Sequence, residues 1–323
     1  MTDQVTSSAS KPTPATTDLR AGDLSAARAA VNDIIVDKAD VIDLAFASLL
    51  AGGHLLVEDL PGVGKTTLAH ALSLAVGGSW QRIQFTNDML PADILGVSVF
   101  DRSSTEFEFR PGPIFANVVL ADEINRATPR TQSALLEAMA EGQVTVDGQT
   151  HELPKPFFVI ATQNPLDLTG TYPLPDSQLD RFLLRISIGY PSPAEERRLL
   201  IEPNRRELLA EMPQLLNPDV LLSLIRQASE LHVSEPVLDY IQALVSATRE
   251  HAAVRAGLSP RAALALIQSA RAWSFVRGQG FLTPDAVKAV FPALAAHRLQ
   301  AISESGMTSD AVVQEILANV PVP

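Results

Sequence analysis

The sequence predicts an α/β protein in which a parallel sheet is followed by a smaller, wholly helical domain. Short apolar runs such as Val118–Ala121 and Phe157–Ala161 favour strands that are buried on both faces, as in parallel sheets. From Pro191 onward apolar residues recur at helical spacing, and Leu, Ala and Arg dominate. The turn residues GYPSP at Gly189–Pro193 mark the boundary between the two parts.

The elements of the first part follow one another in a regular order. Ser25–Leu50 has helical spacing, and the glycines at Ala51–Gly53 would end this helix. His54–Glu58 is typical of a short buried strand, and after a glycine-rich turn a helix is expected over Thr67–Val76. Further strands are predicted at Arg82–Thr86, Val118–Ala121, Phe157–Ala161 and Phe182–Ile188.

Two β-hairpins are predicted to interrupt this alternation. Each consists of two segments with alternating apolar and polar residues around a polar turn. The turn of the second hairpin is Asp147-Gly148, a pair that strongly favours a type I′ turn. The paired segments are Val97–Phe100 with Thr105–Arg110, and Val144–Val146 with Gln149–Leu153.

The chain divides into three predicted regions. Residues 1–25 are rich in Ser, Thr and Pro, which predicts a disordered tail. Residues 26–190 are expected to form the α/β core, and residues 191–323 the helical domain. Within the helical domain Ser259-Pro260 and Thr283-Pro284 are typical helix starts, because a hydroxyl residue precedes a proline in the first helical position.

Composition excludes several classes of protein. The chain of 323 residues has no cysteine, which excludes disulfide frameworks, thiolate metal sites and cysteine nucleophiles. The N-terminus lacks the features of an export signal, and no apolar run approaches the ~18 residues of a membrane span, so we expect a soluble, cytoplasmic protein. The net charge of −12 argues against a nucleic-acid partner, because such binding depends on neutralising phosphates with Lys and Arg.

The segment Asp59–Thr66 (DLPGVGKT) lies between the first strand and the next helix and is typical of a phosphate-binding loop. The usual pattern GxxxxGK[ST] begins with glycine where this chain has aspartate, but Gly62 and Gly64 still allow backbone N–H groups to face an anion. Lys65 would contact the β- and γ-phosphates, and Thr66 would bind Mg²⁺. The alternative is an ordinary turn with a solvated lysine. The predicted nucleotide-binding residues here are Asp59, Pro61, Gly62, Val63, Gly64, Lys65, Thr66 and Thr67.

Two carboxylates follow the buried strand Val118–Ala121. Asp122 would hold the Mg²⁺ ion and Glu123 would polarise the attacking water, which are the two functions that phosphoryl transfer requires. The alternative is an acidic helix start after a core strand. We therefore predict ATP and Mg²⁺ as ligands, with Thr66 and Asp122 at the metal.

Three further polar residues are candidates for the same chemistry. Asn164 follows the strand Phe157–Ala161, where its amide could position water or contact the γ-phosphate, although an Asn-Pro turn is the alternative. Arg181 precedes the last strand and could serve a neighbouring subunit's nucleotide as an arginine finger, or pair at the surface with Asp180. Arg261 lies in the first turn of a helix, where a cation is unfavourable unless it reaches an anion; simple exposure is the alternative.

Taken together, these motifs resemble the AAA+ ATPases and, more narrowly, the MoxR family, whose clade carries hairpins at the two predicted places. The matching segments span nearly all of residues 30–300. They are LAGGHLLVEDLPGVGKTTLA from Leu50, IQFTNDMLPADILG from Ile83, FRPGPIFANVVLADEINRATPRTQSALLEAMAEGQVTVDG from Phe109, FFVIATQNP from Phe157, YPLPDSQLDRFLLRI from Tyr172 and LSPRA from Leu258.

The resemblance implies an AAA+ core with a parallel five-stranded sheet and an all-α lid. It also implies a ring, commonly a hexamer, that hydrolyses ATP with Mg²⁺ and acts as a chaperone-like motor on proteins with von Willebrand factor A domains. By position it assigns Asn164 as a sensor, Arg181 as a finger acting in trans and Arg261 as a sensor in the lid. Two departures stand out: Val36-Asp37-Lys38 replaces the usual Val-Gly-Gln near the adenine pocket, and Asn87 replaces a common proline.

Three other functions are open on the sequence. The first is a chelatase-type ATPase subunit from the same clade, which would drive metal insertion into a tetrapyrrole. The second is a nucleic-acid translocase or transcriptional regulator, which the acidic composition and the lack of a helix-turn-helix signature disfavour. The third is a scaffold that binds nucleotide without turnover, which the presence of Glu123 disfavours.

Overall fold

The computed structural model describes residues 17–166, 170–201, 205–302, 304 and 306–323. Its strands are β1 (His54–Glu58), β2 (Trp80–Gln84), β3 (Gly96–Asp101), β4 (Glu106–Pro111), β5 (Val118–Asp122), β6 (Gln143–Val146), β7 (Gln149–Glu152), β8 (Phe158–Gln163), β9 (Phe182–Ile186), β10 (Val254–Ala256) and β11 (Gln300–Ala301). Its α-helices are α1 (Thr17–Ile34), α2 (Ala39–Leu50), α3 (Lys65–Val76), α4 (Pro91–Leu95), α5 (Pro129–Glu141), α6 (Asp176–Leu179), α7 (Pro193–Ile201), α8 (Arg205–Glu211), α9 (Pro218–Ser229), α10 (Glu235–Glu250), α11 (Pro260–Val276), α12 (Pro284–Ala295) and α13 (Ser309–Asn319).

The central five-stranded sheet has the order β2-β5-β8-β1-β9, and every pair in it is parallel. The predicted α/β fold class is confirmed. Because all the strands run the same way, the residues that follow β1, β5 and β8 meet at one edge of the sheet. In open α/β sheets this carboxyl edge is where ligands bind.

Successive residues of the strands enter two different cores, as the period of two in a strand requires. On one face Leu55 and Leu120 pack with α1, α2, α3 and helices of residues 191–323, the part of the chain called the second domain below. On the other face Leu56 and Val119 pack with α5 and the apolar residues of β6. The second domain therefore shares a continuous apolar core with the sheet.

Both predicted hairpins are present, as the antiparallel pairs β3–β4 and β6–β7. In the second, Asp147 and Gly148 have φ angles of 50° and 79°, as a type I′ turn requires at both central residues. The hairpins precede β5 and β8, respectively, so they leave the order of the sheet intact.

The helical region before β1 differs from the prediction in two respects. Helix α1 begins at Thr17, inside the stretch predicted to be a disordered tail, and residues 1–16 lie outside the described residues. The single helix expected over Ser25–Leu50 is divided into α1 and α2, with Asp37 between them at φ 61°. The reversal lets the two helices pack against each other. Because apolar residues recur at helical spacing both before and after Asp37, periodicity alone did not reveal the break between the two helices.

Two strands end elsewhere than predicted. Strand β2 lies two residues earlier than Arg82–Thr86, where it pairs with the whole of β5. Strand β9 stops at Ile186 instead of Ile188. The reason is a long-range contact, because the carboxylate of Asp59 accepts the N–H groups of Ile188 and Gly189, both at 2.6 Å.

The second domain confirms the predicted helix starts but is not wholly helical. The side chains of Ser259 and Thr283 accept the N–H groups of Ala262 and Ala286 at 3.2 and 3.3 Å, as N-caps of α11 and α12. The short strands β10 and β11 form an antiparallel pair that the expectation of an all-helical domain missed. Segments of two or three residues carry too little alternation to be recognised. Among the described residues, no helix combines the length and the apolar character that crossing a membrane demands.

His54, the first residue of β1, is buried and links two other elements to this strand. Its Nε2 lies 3.1 Å from the carbonyl oxygen of Met139 in α5, and its Nδ1 accepts the N–H of Val159 in β8 at 3.1 Å. These partners require a neutral ring with the proton on Nε2. Burial lowers the pKa of His54 to about 4, and the hydrogen bond to Met139 opposes this shift only in part.

We predict that His54 makes the protein less stable as the pH falls from 6.5 toward about 4. The unfolded chain takes up a proton near pH 6.5 while the folded chain keeps the ring neutral, so acid favours unfolding. The cost is about 1.4 kcal/mol per pH unit below that point. In urea titrations at about pH 7 and about pH 5.5, His54→Gln should lose about 1.4 kcal/mol less than wild type. Equal losses in the two proteins would contradict this role.

Candidate nucleotide-binding site

The loop between β1 and α3 forms an open cradle at the carboxyl edge of the sheet. Gly62 and Gly64 have φ angles of 83° and 96°, a region that glycine adopts without steric cost. A Cβ built on either glycine would meet no atom within 4 Å. The N-terminus of α3, which begins at Lys65, faces this loop. The first N–H groups of a helix have no acceptor within the helix itself and can therefore turn toward an anion. The arrangement is that of an anion-binding loop.

Lys65 lies folded over this loop. Its Nζ donates to the carbonyl oxygens of Asp59 and Leu60, the latter at 3.1 Å. These carbonyls satisfy the ammonium group in the structure described here. A phosphate oxygen would compete with them for the same donors.

Asp59 stands where the usual loop pattern has glycine, and its side chain does not point into the cradle. One carboxylate oxygen accepts the N–H of Leu60 at 2.8 Å, and the other accepts the hydroxyl of Ser187 at 2.9 Å and the N–H groups of Ile188 and Gly189. Burial alone would raise the pKa of Asp59, but these hydrogen bonds outweigh it and lower the pKa. The prediction of Asp59 as a nucleotide contact is therefore corrected for its side chain, which anchors the loop to the end of β9.

Asp122 ends β5 beside this loop. Its Oδ2 lies 3.5 Å from the hydroxyl oxygen of Thr66, and its Oδ1 accepts the hydroxyl of Thr162 at 2.6 Å. A hydroxyl and a carboxylate oxygen are the donors that Mg²⁺ prefers. The predicted metal-binding pair is thus brought together, and its chemistry fits a divalent cation.

Glu123 has a left-handed backbone conformation, with φ 58° and ψ 50°. For a residue with a side chain this costs on the order of 1–2 kcal/mol. Its N–H donates to the hydroxyl of Thr162 at 2.9 Å, so one hydroxyl holds both Asp122 and the backbone of Glu123. The strain turns the chain sharply after β5 and leaves the carboxylate partly exposed.

Strand β2 supplies two residues that the sequence reasoning did not identify. The guanidinium of Arg82 contacts Asp122 Oδ2 at 2.6 Å, and the amide of Gln84 donates to Glu123 Oε2 at 3.0 Å. Arg126 also contacts Glu123 Oε2, through its Nε at 2.9 Å. Arg82 and Gln84 are two residues apart in a strand, which places their side chains on the same face of the sheet, and this spacing was the only sequence signal for a shared role. It is informative only once β2 is known to lie beside β5.

Asn164 lies at the same edge, directly after β8. Its side-chain oxygen accepts the N–H of Leu166 at 3.1 Å, which is the local turn that an Asn-Pro pair favours. Its amide nitrogen has no hydrogen-bond partner within the described parts of the chain. Turn formation and a sensor role are therefore compatible, because they use different atoms of one amide.

Arg181 and Arg261 lie at the opposite edge of the sheet. Both line a cavity of about 380 Å³ together with residues 51–54, which end α2 and begin β1. The Nη1 of Arg181 also donates to the carbonyl oxygen of Leu136 in α5 at 3.0 Å. The length of β1, roughly 16 Å, separates this cavity from the glycine loop. The structure therefore does not bring Arg181 or Arg261 to the loop of their own chain.

Two family patterns match the chain. Residues 54–184 match the ATPase family associated with various cellular activities (AAA), and residues 246–316 match the AAA lid domain. The first pattern contains the glycine loop, the two carboxylates and Arg181. The second contains Arg261.

Relatives and a solved structure match over most of their lengths. The protein YeaC of Bacillus subtilis is 44% identical over 91% of this chain and 92% of its own length. Chaperone MoxR1 of Mycobacterium tuberculosis is 41% identical over 88% of this chain and 76% of its own, and Protein MoxR of Paracoccus denitrificans is 30% identical over 92% and 95%. A crystal structure from Cytophaga hutchinsonii, of a protein described provisionally as an ATPase, has 31% identity and a TM-score of 0.84 over 94% of this chain and 96% of that one.

Proposed function

Because this chain belongs to the MoxR family of AAA+ ATPases, we propose that it hydrolyses ATP to ADP and phosphate with Mg²⁺ and uses the reaction to remodel partner proteins. One observation carries the proposal. The glycine cradle, the Thr66 hydroxyl and the carboxylates of Asp122 and Glu123 meet at the carboxyl edge of a parallel sheet. That is the set of groups needed by a nucleotide and its metal.

In this proposal Gly62, Gly64 and the start of α3 hold the phosphates through backbone N–H groups, and Lys65 turns from the loop carbonyls to phosphate oxygens. Thr66 and Asp122 hold Mg²⁺, which would neutralise charge on the β- and γ-phosphates when bound.

Glu123 orients a water molecule for attack on the γ-phosphorus. The oxygen of that water forms the new bond, the bond from the γ-phosphorus to the β,γ-bridging oxygen breaks, and Glu123 receives the proton. Its strained backbone and its contacts with Gln84 and Arg126 direct the carboxylate before water binds. The amide nitrogen of Asn164, which has no partner among the described residues, donates to the water or to the γ-phosphate.

We propose further that the site is completed by a neighbouring subunit. Arg181 and Arg261 share one cavity at the amino edge of the sheet, too far from the loop of their own chain to reach its nucleotide. In a ring, the amino edge of one subunit can face the carboxyl edge of the next, so both arginines would serve the neighbour's γ-phosphate. A hexamer is the ring that the family resemblance favours.

The partner that we propose is a protein with a von Willebrand factor A domain. Support comes from the family resemblance and from the relative named as a chaperone, Chaperone MoxR1.

Replacing Glu123 with glutamine should stop turnover while leaving ATP binding within about twofold of wild type. The amide keeps the size of the side chain and one oxygen that can still accept from Gln84 or Arg126, but it cannot accept the proton, so the loss should be at least about 100-fold in kcat. Phosphate release and the affinity for a fluorescent ATP analogue are the measurements. Near-normal turnover would remove Glu123 from the proposed role.

Arg181→Ala subunits should be inactive alone and regain activity when mixed with Lys65→Ala subunits. Arg181→Ala subunits keep an intact glycine loop with Lys65, and Lys65→Ala subunits keep an intact Arg181. Mixed rings therefore contain some interfaces at which an intact loop faces an intact arginine. The expected loss for Arg181→Ala alone is about 10³-fold or more. Arg226→Ala, a change at an exposed arginine of α9, is the control and should remain active without mixing. No recovery in the mixture would argue against a shared site.

Glu123→Gln rings loaded with ATP should retain a von Willebrand factor A domain protein encoded near this chain's gene. Blocked hydrolysis would hold the complex in its ATP-bound state, whereas rings without nucleotide should release the partner. Co-purification from cells with and without added ATP analogue measures this. Retention of a large chelatase subunit instead would favour the metal-insertion alternative.

A further inference from the structure

Arg298 is a buried cation at the junction between the second domain and the sheet. It lies three residues beyond α12, and its side chain is 6% exposed. Its Nε donates to Asp180 Oδ1 at 2.7 Å, and its two terminal nitrogens reach the carbonyl oxygens of Leu183 at 2.9 Å and Phe182 at 2.7 Å. It also contacts the carbonyl oxygen of Leu294 in α12. One guanidinium therefore ties α12 to three residues around the start of β9.

The residue between these anchored positions is Arg181. The guanidinium of Arg298 donates hydrogen bonds to the residues on both sides of Arg181. Its Nε donates to the carboxylate of Asp180, and one terminal nitrogen donates to the carbonyl oxygens of Asp180 and Phe182. His297 adds a second contact to the Phe182 carbonyl, at 3.1 Å. The backbone that carries Arg181 is thus fixed on both sides from the second domain.

Stability alone is a weak reason for such a group. Burying a guanidinium is costly even when it is paired, and well-packed apolar residues often stabilise a protein equally well. A planar guanidinium has a fork of donors in fixed directions, so several hydrogen bonds from it fix the positions of the acceptor groups. The acceptors here include the carboxylate and carbonyl of Asp180 and the carbonyls of Phe182 and Leu183, which lie on either side of the proposed finger.

We propose that Arg298 is the positioning residue of Arg181, and that through it the second domain controls how well each subunit completes its neighbour's site. This rests on the proposed function, in which Arg181 acts in trans. Arg298 borders the same cavity as Arg181 and Arg261, yet its donors are occupied by Asp180 and by backbone carbonyls. It acts through Arg181 and not on the nucleotide.

The test is the direction of complementation in mixed rings of the full-length protein. Arg298→Gln removes the fork, and its homo-oligomers should lose about 100-fold in kcat, the cost of a misplacement near 1 Å. Their affinity for a fluorescent ATP analogue should stay within about twofold of wild type, because the glycine loop lies at the other edge of the sheet. Mixing with Lys65→Ala subunits, which contribute intact fingers, should restore turnover.

Three further variants distinguish a positioning role from a general loss of structure. Asp180→Asn keeps the size of the side chain but weakens the contact to Nε, so it should show the same pattern more mildly, and it replaces Arg298→Gln if that variant does not fold. Arg255→Gln, at an exposed arginine of β10, is the matched control and should remain active. Arg298→Lys keeps the charge without the fork and should not recover wild-type kcat.

The outcomes separate the two proposals. If mixtures with Lys65→Ala rescue Arg181→Ala but not Arg298→Gln or Asp180→Asn, the positioning role is wrong and the shared site stands. A loss of nucleotide affinity in both Arg298→Gln and Asp180→Asn would also overturn it. If Arg181→Ala itself is not rescued, the failure lies with the proposed function.

Discussion

The parallel pairing of β5, β8 and β1 is the constraint on which the rest of this site depends. It brings the glycine loop, Asp122 and Thr162 to one edge, although about 100 residues separate the loop from Thr162 in a chain of 323. Thr162 then uses a single hydroxyl to hold Asp122 and the backbone of Glu123. Any other register would separate the metal-binding groups from the phosphate cradle, since a shift of one residue turns each side chain to the opposite face.

Three charged groups proposed to meet ATP, Mg²⁺ and water have protein partners in this structure. Lys65 contacts loop carbonyls, Asp122 pairs with Arg82, and Glu123 contacts Gln84 and Arg126. Binding would therefore exchange one set of polar contacts for another instead of filling an unsatisfied site. Such an exchange keeps buried carboxylates compensated at every stage, which matters because an unpaired charge in a partly buried site is costly.

The two edges of the sheet divide the proposed chemistry between neighbours. The carboxyl edge carries the nucleotide-binding groups, and the amino edge carries Arg181 and Arg261. Asp59 holds the segment after β9, which leads into the second domain, while Arg298 of the second domain holds the segment before β9. A movement of this domain would thus reach the chain's own loop and the finger offered to the neighbour. Strand β9 connects the segment held by Arg298 to the segment held by Asp59.

The sequence by itself determined the features whose causes are local. The glycines of the loop, the Asp147-Gly148 turn, and the caps at Ser259 and Thr283 each depend on the backbone preferences of a few neighbouring residues. Its family resemblance also predicted roles for Asp122, Glu123 and Arg181; the first two lie beside the glycine loop, and Arg181 lies at the opposite edge of the sheet.

Only the tertiary structure decided the features that depend on residues distant in the chain. The carboxylate of Asp59 turns from the loop because backbone donors at 188 and 189 lie beside it, and those same bonds end β9 early. Arg82 and Gln84 reach the carboxylates because β2 pairs with β5, and Arg298 reaches Asp180 across 118 positions. Periodicity and motif spacing report on contacts within a few residues, so they carry no signal for pairings set by the packing of separate elements.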